Sequence, residues 1–421
     1  MGTADGPRCL GVAALSHEAQ LISHQEPDRR TVVAALGITQ ILAWGSTFYL
    51  MGVLVSPIAL ETGWGYGGVI SGVSIALLTA GAISPLVGTA ISRWGGRRVL
   101  TASAIVLAAG LALIGSSPTL ELYIAAWVIL GIGMGAGLTD AAFSTLGNIY
   151  GDKARSAITS LTLFAGFAST VSWPLSAWLL EHLGWRGTYF VYAAIQIGVA
   201  LPVLLLALPR HPIAAAPLDE HHAAPARARL ARGELSRLLL LAVVLTLSAA
   251  ILSMMGVHLL PLLQARGLEL SAAVWLGALV GPAQVAARVI EMIAGRYYQP
   301  IWTMVASAVL VAVGAGLLYL DFPAYSMAIV LYGAGNGMGS VARGTLPLSL
   351  FGPGRYPVLM GRLGLPILMA MALSPMLGAI AFQAGGAGLT LRLLVSAAAA
   401  NVLFMGLLWI LSRWRTNHAG S

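Results

Sequence analysis

The sequence predicts an all-α membrane protein of twelve transmembrane helices in two six-helix bundles. Three observations carry that prediction. Of 421 residues, 58% are hydrophobic and only 9% charged, against about 25% charged in soluble globular chains. Apolar runs near the ~20 residues of a crossing helix follow one another along the chain. The cations gather in alternate connections between those runs.

The composition also excludes function classes. With 23 basic and 15 acidic residues, the chain cannot coat a soluble surface of this size. A soluble enzyme or a DNA-binding module is therefore excluded. The net charge of +8, with Lys153 the only lysine, reads as membrane topology, and no nucleic-acid partner is expected. Cys9 is the single cysteine, so no disulfide framework and no thiolate metal site is expected. There is no GxxxxGK[ST], no HExxH and no CxxC, which points away from an ATP pump, an enzyme or a resident cofactor or metal.

The elements follow in order. Residues 1–30 form a tail without the apolar core of a signal peptide, and MGTADG lacks the Ser or Thr of a myristoylation signal. Six spans are expected over 32–59, 67–92, 99–116, 119–149, 156–183 and 187–208, making a first bundle over 31–208. The polar stretch 209–236 is read as a cytoplasmic linker with a short helix near Ala228–Leu235. Six more spans are expected over 238–264, 270–295, 300–320, 322–350, 356–383 and 393–412, making a second bundle over 237–412. Residues 413–421 form the other tail.

With the N-terminus inside, 17 of the 23 cations fall on the inner side and three, Arg186, Arg266 and Arg392, on the outer side. That asymmetry predicts a multi-pass protein of a bacterial-type inner membrane with both termini cytoplasmic. Its partners are then the lipid bilayer and a small-molecule substrate, with protons as the candidate coupling ion, and the protein is expected to be a monomer. Span 4 carries Gly131, Gly133, Gly135 and Gly137, and span 10 carries Gly333, Gly335, Gly337 and Gly339. The constant offset of 202 suggests an internal repeat of two six-helix units.

After span 2 the chain reads Gly88-Thr-Ala-Ile-Ser92-Arg93-Trp94-Gly95-Gly96-Arg97-Arg98. This resembles the loop 2–3 signature of the major facilitator superfamily, with Ser92 where that family has Asp. The resemblance covers residues 31–412 and implies the major facilitator fold. It also implies an inner-face gate loop formed by Gly88, Ser92, Arg93, Gly95, Arg97 and Arg98. In span 8, Gly281-Pro282-Ala283-Gln284-Val285-Ala286-Ala287-Arg288 is similar to the monocarboxylate porter group. There an Arg holds the substrate carboxylate and an Asp, here Gln284, carries the proton. The pattern of the proton-coupled drug exporters is absent from spans 4 and 5, where Trp127 stands in place of their Arg.

Charges inside spans are candidate functional residues, since each costs at least ~2.5–3.5 kcal/mol at mid-membrane. Arg288 is the candidate substrate anchor, because guanidinium takes a carboxylate through two parallel bonds; alternatively it pairs with Glu291, three residues on. Glu291 is in turn a candidate proton carrier. Asp140 either titrates or gates, or sits in a structural ion pair. Arg343 maps one residue from Asp140 by the 202 offset, so the two are expected to face one cavity. His258 is a candidate proton relay or a packing histidine. Gln40 and Trp44 share a face of span 1, and with Gln284 and Asn336 they complete the candidate substrate site; Gln40 and Asn336 read equally as hydrogen-bond partners of neighbouring helices. Tyr49 is read as an interface anchor and Arg362 as a snorkelling cation. The function expected is secondary active transport of a small, monocarboxylate-like organic anion by alternating access. The alternative is an efflux permease for drugs or toxic compounds, including metalloid oxyanions.

Overall fold

Among the described residues the first helix is capped by Asp28, whose carboxylate accepts the backbone N–H groups of Arg30 and Thr31 and the Thr31 hydroxyl. That side chain satisfies donors which the first helical turn leaves open. The computed structural model describes residues 28–210 and 232–413. Among these residues there are helices and turns and no strand. Cys9, both expected tails apart from their inner edges, and most of the expected linker lie outside the described residues. Of the helix expected near Ala228–Leu235, the described part begins at Arg232 and runs on without a break into the next span.

The helices are α1 (Arg29–Trp44), α2 (Met51–Thr62), α3 (Tyr66–Trp94), α4 (Gly96–Ser116), α5 (Leu120–Gly137), α6 (Thr139–Tyr150), α7 (Ala154–Ala165) and α8 (Ala168–Ile195). They continue as α9 (Leu201–Ala207), α10 (Arg232–Gln264), α11 (Leu270–Ala278), α12 (Val280–Ala294), α13 (Pro300–Tyr319), α14 (Tyr325–Phe351) and α15 (Tyr356–Arg413). Among the described residues nine stretches are long and apolar enough to cross a membrane. Two of them, Leu120–Phe164 and Pro353–Ser412, run 45 and 60 residues, more than one crossing needs. Left-handed glycines turn the chain inside two long helices, at Gly184 (φ 66°) in α8 and Gly386 (φ 63°) in α15. α14 is long enough to cross but more polar, with Asn336 and Arg343 among its glycines. The segments are consistent with the twelve expected spans. They differ from expectation in being broken within spans 4, 5 and 8, at Leu138, at Gly166–Phe167 and at Leu279.

The two glycine ladders explain how spans 4 and 10 pack. A Cβ added at Gly131 or Gly135 would strike Ala76 or Ala80 of α3, and one at Gly133 or Gly137 would strike Leu107 or Ser103 of α4. In α14, Gly333 and Gly337 meet Val280 and Gln284 of α12, while Gly335 and Gly339 meet Ser307 of α13. Positions four apart share a helix face and positions two apart do not. Each ladder therefore wedges one helix between two neighbours at backbone contact, and the arrangement repeats in the second half of the chain.

Two of the arginines expected on the cation-poor side serve as helix caps. Arg186 donates to the carbonyls of Gly115 and Ser117 beyond the end of α4 and lies over the Trp185 ring. Arg266 donates to Leu318 and Tyr319 at the end of α13 and pairs with Asp321. Each closes carbonyls that a helix C-terminus leaves open.

The halves meet at the cation-rich end. One buried apolar cluster there draws on both, with Leu36, Ile91, Phe143 and Ile158 from the first and Met304, Tyr356, Leu363 and Ile367 from the second. A further cluster is drawn from the second half alone, with Ile251, Met255, Leu318 and Ile329. At the cation-rich end α3 and α15 meet at backbone contact. A Cβ on Gly88 would strike the Pro357 carbonyl oxygen, and one on Gly361 would strike that of Ser84.

Candidate functional site

Span 4 is broken at Leu138, where φ and ψ of −81° and −170° interrupt the helix between α5 and α6. The Ala141 and Ala142 N–H groups turn back to Leu138, so the Gly137 carbonyl needs another donor. Gln40 supplies it, with Nε2 2.7 Å away. Trp44 Nε1 donates to the Thr139 hydroxyl at 2.9 Å. The break places Asp140 in the first turn of α6, where backbone N–H groups and the helix dipole favour a negative charge.

Asp140 meets Arg343 across the two halves, Nη2 to Oδ2 at 2.6 Å. The pair borders a cavity lined also by Trp44, Ser84, Thr139 and Leu368. Its volume is about 20 Å³, room for a water molecule but not for an organic solute. Asp140 Oδ1 and Arg343 Nε are buried there without a partner, so the cavity offers a water one acceptor and one donor. The expectation that these residues face one space from opposite halves agrees with this geometry.

Arg288 is 8% exposed. Its Nε donates to the Ser340 hydroxyl, Nη1 to the Thr162 carbonyl and Nη2 to Gln284 Oε1. The Thr162 carbonyl is open because α7 ends in tighter bonds, Gly166 to Leu163 and Phe167 to Phe164. A Cβ on Gly166 would come within 3.0 Å of Arg288 Nη1. All three partners are neutral, and among the described residues no carboxylate pairs with Arg288.

The alternative pairing with Glu291 does not form. Glu291 accepts instead from the Tyr298 and Thr303 hydroxyls. Its Oε1 and Arg155 Nη2 both flank the site where a Gly295 Cβ would sit. Burial first, then the bond to Glu291 and its negative charge, pushes the Tyr298 hydroxyl up to about 12. Glu291 therefore joins a cluster at the cation-rich end, close to the first half.

Three aromatic rings of span 1 lie together. Trp44 and Phe48 meet edge to face at 5.8 Å, Phe48 and Tyr49 at 5.5 Å, and Trp44 and Tyr49 lie 6.3 Å apart. Tyr49 is the residue read from the sequence as an interface anchor. It is half-buried and stands within electrostatic range of Arg288.

The remaining candidates scatter. Gln40 is 2% exposed and bonds the neighbouring helix at the span 4 break, the second of its two readings. Gln284 touches Arg288. Asn336 faces Tyr332, and its Nδ2 is buried without a partner. His258 does not join the group. Its Nε2 bonds the Pro375 carbonyl at 2.9 Å, and Ser253 donates to Met371, the carbonyl that loses its donor to the proline. Both contacts stitch α10 to the bend in α15.

In the loop after α3, Gly88 allows the contact with α15, and Gly95 takes φ 82° to start α4. Ser92 bonds Thr89 of its own helix. Arg97 caps the Leu205 carbonyl near the end of α9. Arg93, Arg98 and Arg362 are exposed. The sequence reading missed Thr139, Thr162, Ser340, Tyr298 and Thr303. Only Thr139, flanking Asp140, carried a signal, since hydroxyls are common in membrane helices.

A family model described as the Major Facilitator Superfamily matches residues 36–300. Over 192 residues the chain is 26% identical to an uncharacterized MFS-type transporter of Mycobacterium tuberculosis, covering 44% of this chain and 24% of the relative. Over 181 residues it is 28% identical to a multidrug resistance protein B homolog of the same organism, covering 42% and 28%. The chain thus spans about a quarter of the length of the curated relatives it matches. Among solved structures it resembles the human organic anion transporter MFSD10 (TETRAN), with TM-score 0.71 and 17% identity over 90% of this chain and 100% of that one. It also resembles the proton:xylose symporter XylE, with TM-score 0.67 and 15% identity over 90% and 94%. FucP in the outward conformation gives a TM-score of 0.66 and 14% identity over 91% and 98%.

Proposed function

The chain belongs to the major facilitator superfamily, and from that premise we propose that it is a secondary active transporter of small, monocarboxylate-like organic anions. One observation carries the reading. Arg288 is a buried cation whose described partners are all neutral. Burying an unpaired charge is costly, and an anionic solute supplies the missing charge in the geometry guanidinium prefers.

Arg343 is the second cation of the site. When an anion takes Arg343, Asp140 loses its partner in a cavity with room for about one water and accepts a proton in its place. Binding of the anion is thereby linked to binding of a proton and to loosening of a contact between the halves. Two bundles, 31–208 and 237–412, then rock about this level to expose the site alternately. Glu291 and its hydroxyl partners, with Gly88 against Gly361, close the cation-rich end, which faces the cytoplasm of a bacterial-type cell together with both termini. The protein works as a monomer in the inner membrane.

The test is a thermal-shift panel on purified protein in detergent with small carboxylates, inorganic and metalloid oxyanions, and lipophilic cations. A ligand at about 100 times its Kd stabilises by ~2.7 kcal/mol. Carboxylates are expected to stabilise the wild type and to lose that effect in Arg288→Ala. Efflux of drugs is the second reading, favoured by the matching multidrug resistance protein B homolog. Stabilisation by lipophilic cations, indifferent to Arg288, selects it and defeats the first.

A further inference from the structure

We infer that the preferred substrate is a carboxylate carried on a flat aromatic ring, held by Arg288 at its charged end and by the Trp44, Phe48 and Tyr49 rings along its body. The inference rests on the anion reading above and narrows it to a chemical class.

The backbone of span 1 builds this arrangement. In an α-helix, Trp44 and Phe48 share a face, while a residue five positions on is turned away. Between α1 and α2 the chain instead makes a π-turn over Gly45–Tyr49, closed by the Leu50 N–H on the Gly45 carbonyl. The wider turn brings position i+5 back toward i, so Tyr49 joins Trp44 and Phe48 on one side. Such single turns are frequent at functional sites. Gly45 lets this turn lie close against α8, because a Cβ there would strike the Ser172 hydroxyl.

The three rings connect the two cationic groups of the site. Trp44 borders the cavity of Asp140 and Arg343, and Tyr49 stands within electrostatic range of Arg288. The indole N–H of Trp44 is fixed on Thr139, which holds the ring in place. The rings already contact one another edge to face. A ligand ring entering among them finds faces and edges for the same contacts, whose geometry an aliphatic body cannot reproduce. The carboxylate itself is directed away from the electron-rich ring faces and onto the guanidinium.

The experiment compares benzoate, cyclohexanecarboxylate and propionate by thermal shift and equilibrium binding on the full chain in detergent. The first two acids have similar size and charge and differ in aromaticity. Benzoate is expected to bind about tenfold tighter than cyclohexanecarboxylate, and Arg288→Ala is expected to abolish binding of both. Trp44→Leu should bring the two acids to equal affinity. Phe48→Leu, which breaks no polar bond, should narrow the gap in the same direction should the first variant fail to fold. Equal wild-type affinities for the two ring acids, with Arg288 dependence kept, overturn the aromatic preference and leave the anion reading standing. Absence of Arg288-dependent binding by any of the three overturns both.

Discussion

Replacing Asp140 with Asn removes one charge from the pair that joins the two halves. The side chains are 12% and 22% exposed for Asp140 and Arg343, and they meet at 2.6 Å. Breaking a buried pair from one side costs about 3–5 kcal/mol. The adjoining cavity admits a water that can solvate the stranded guanidinium, which lowers the expected loss to about 2–3 kcal/mol. At 1.4 kcal/mol per factor of ten, the separated arrangement of the halves becomes roughly 30- to 140-fold more populated. The assay is the rate of maleimide modification of a reporter at Leu368→Cys, a cavity residue 7% exposed in the closed arrangement. The background is Cys9→Ser, since Cys9 is the only native cysteine. Under conditions where opening is fast, the rate follows the open population and should rise by that factor. Asp140→Glu keeps the charge and should stay within a few-fold of the parent. Adding Arg343→Gln to Asp140→Asn should recover part of the loss, because no charge is then stranded. A rate in Asp140→Asn within threefold of the parent would refute the reasoning that this pair holds the halves together.

Three further outcomes are expected. Gly88→Ala drives a methyl against the Pro357 carbonyl, forcing α3 from α15 at a cost of about 1–3 kcal/mol, read as a lower Tm and faster labelling of the same reporter. Gln40→Ala strands the Gly137 carbonyl and should cost about 1–3 kcal/mol, read as a lower Tm that Gln40→Asn does not fully restore. Tyr298 lies near 12 in the folded protein against an ordinary 10.0. Because the folded state holds that proton more tightly, its contribution is complete below pH 10 and is lost as pH rises toward 12. Tyr298→Phe should flatten the fall of Tm over that window.

Lipid as solvent made much of the architecture legible in one dimension. Backbone polar groups must be satisfied within each crossing, so apolar length alone announces the helices. The positions of arginines likewise give the expected orientation. The glycine ladders were legible as a repeat because backbone contact admits only the smallest residue, and the structure shows each rung meeting its neighbour. Asp140 and Arg343 were legible as a pair because charge is rare in such helices and the repeat offset brought them to one level.

Other features depend on who stands next to whom. Composition could not show that span 4 breaks at Leu138, because α5 stops at Gly137 while the other three glycines of the same run lie inside the helix. The break holds because Gln40 and Trp44, about a hundred residues earlier, close the groups it opens. Sequence spacing offered Glu291 as the partner of Arg288, since three residues separate them on one helix. Hydroxyls on Tyr298 and Thr303 took Glu291 instead, and a carbonyl freed in α7 took one arm of Arg288. His258 was open to a relay role until Pro375, on another helix, presented a carbonyl to it. What the sequence by itself determined is where the chain crosses and which side chains are costly to bury. Tertiary structure decided which of those costs are met from within the protein, at Glu291 and His258, and where at Arg288 a buried charge is left for an anion to balance.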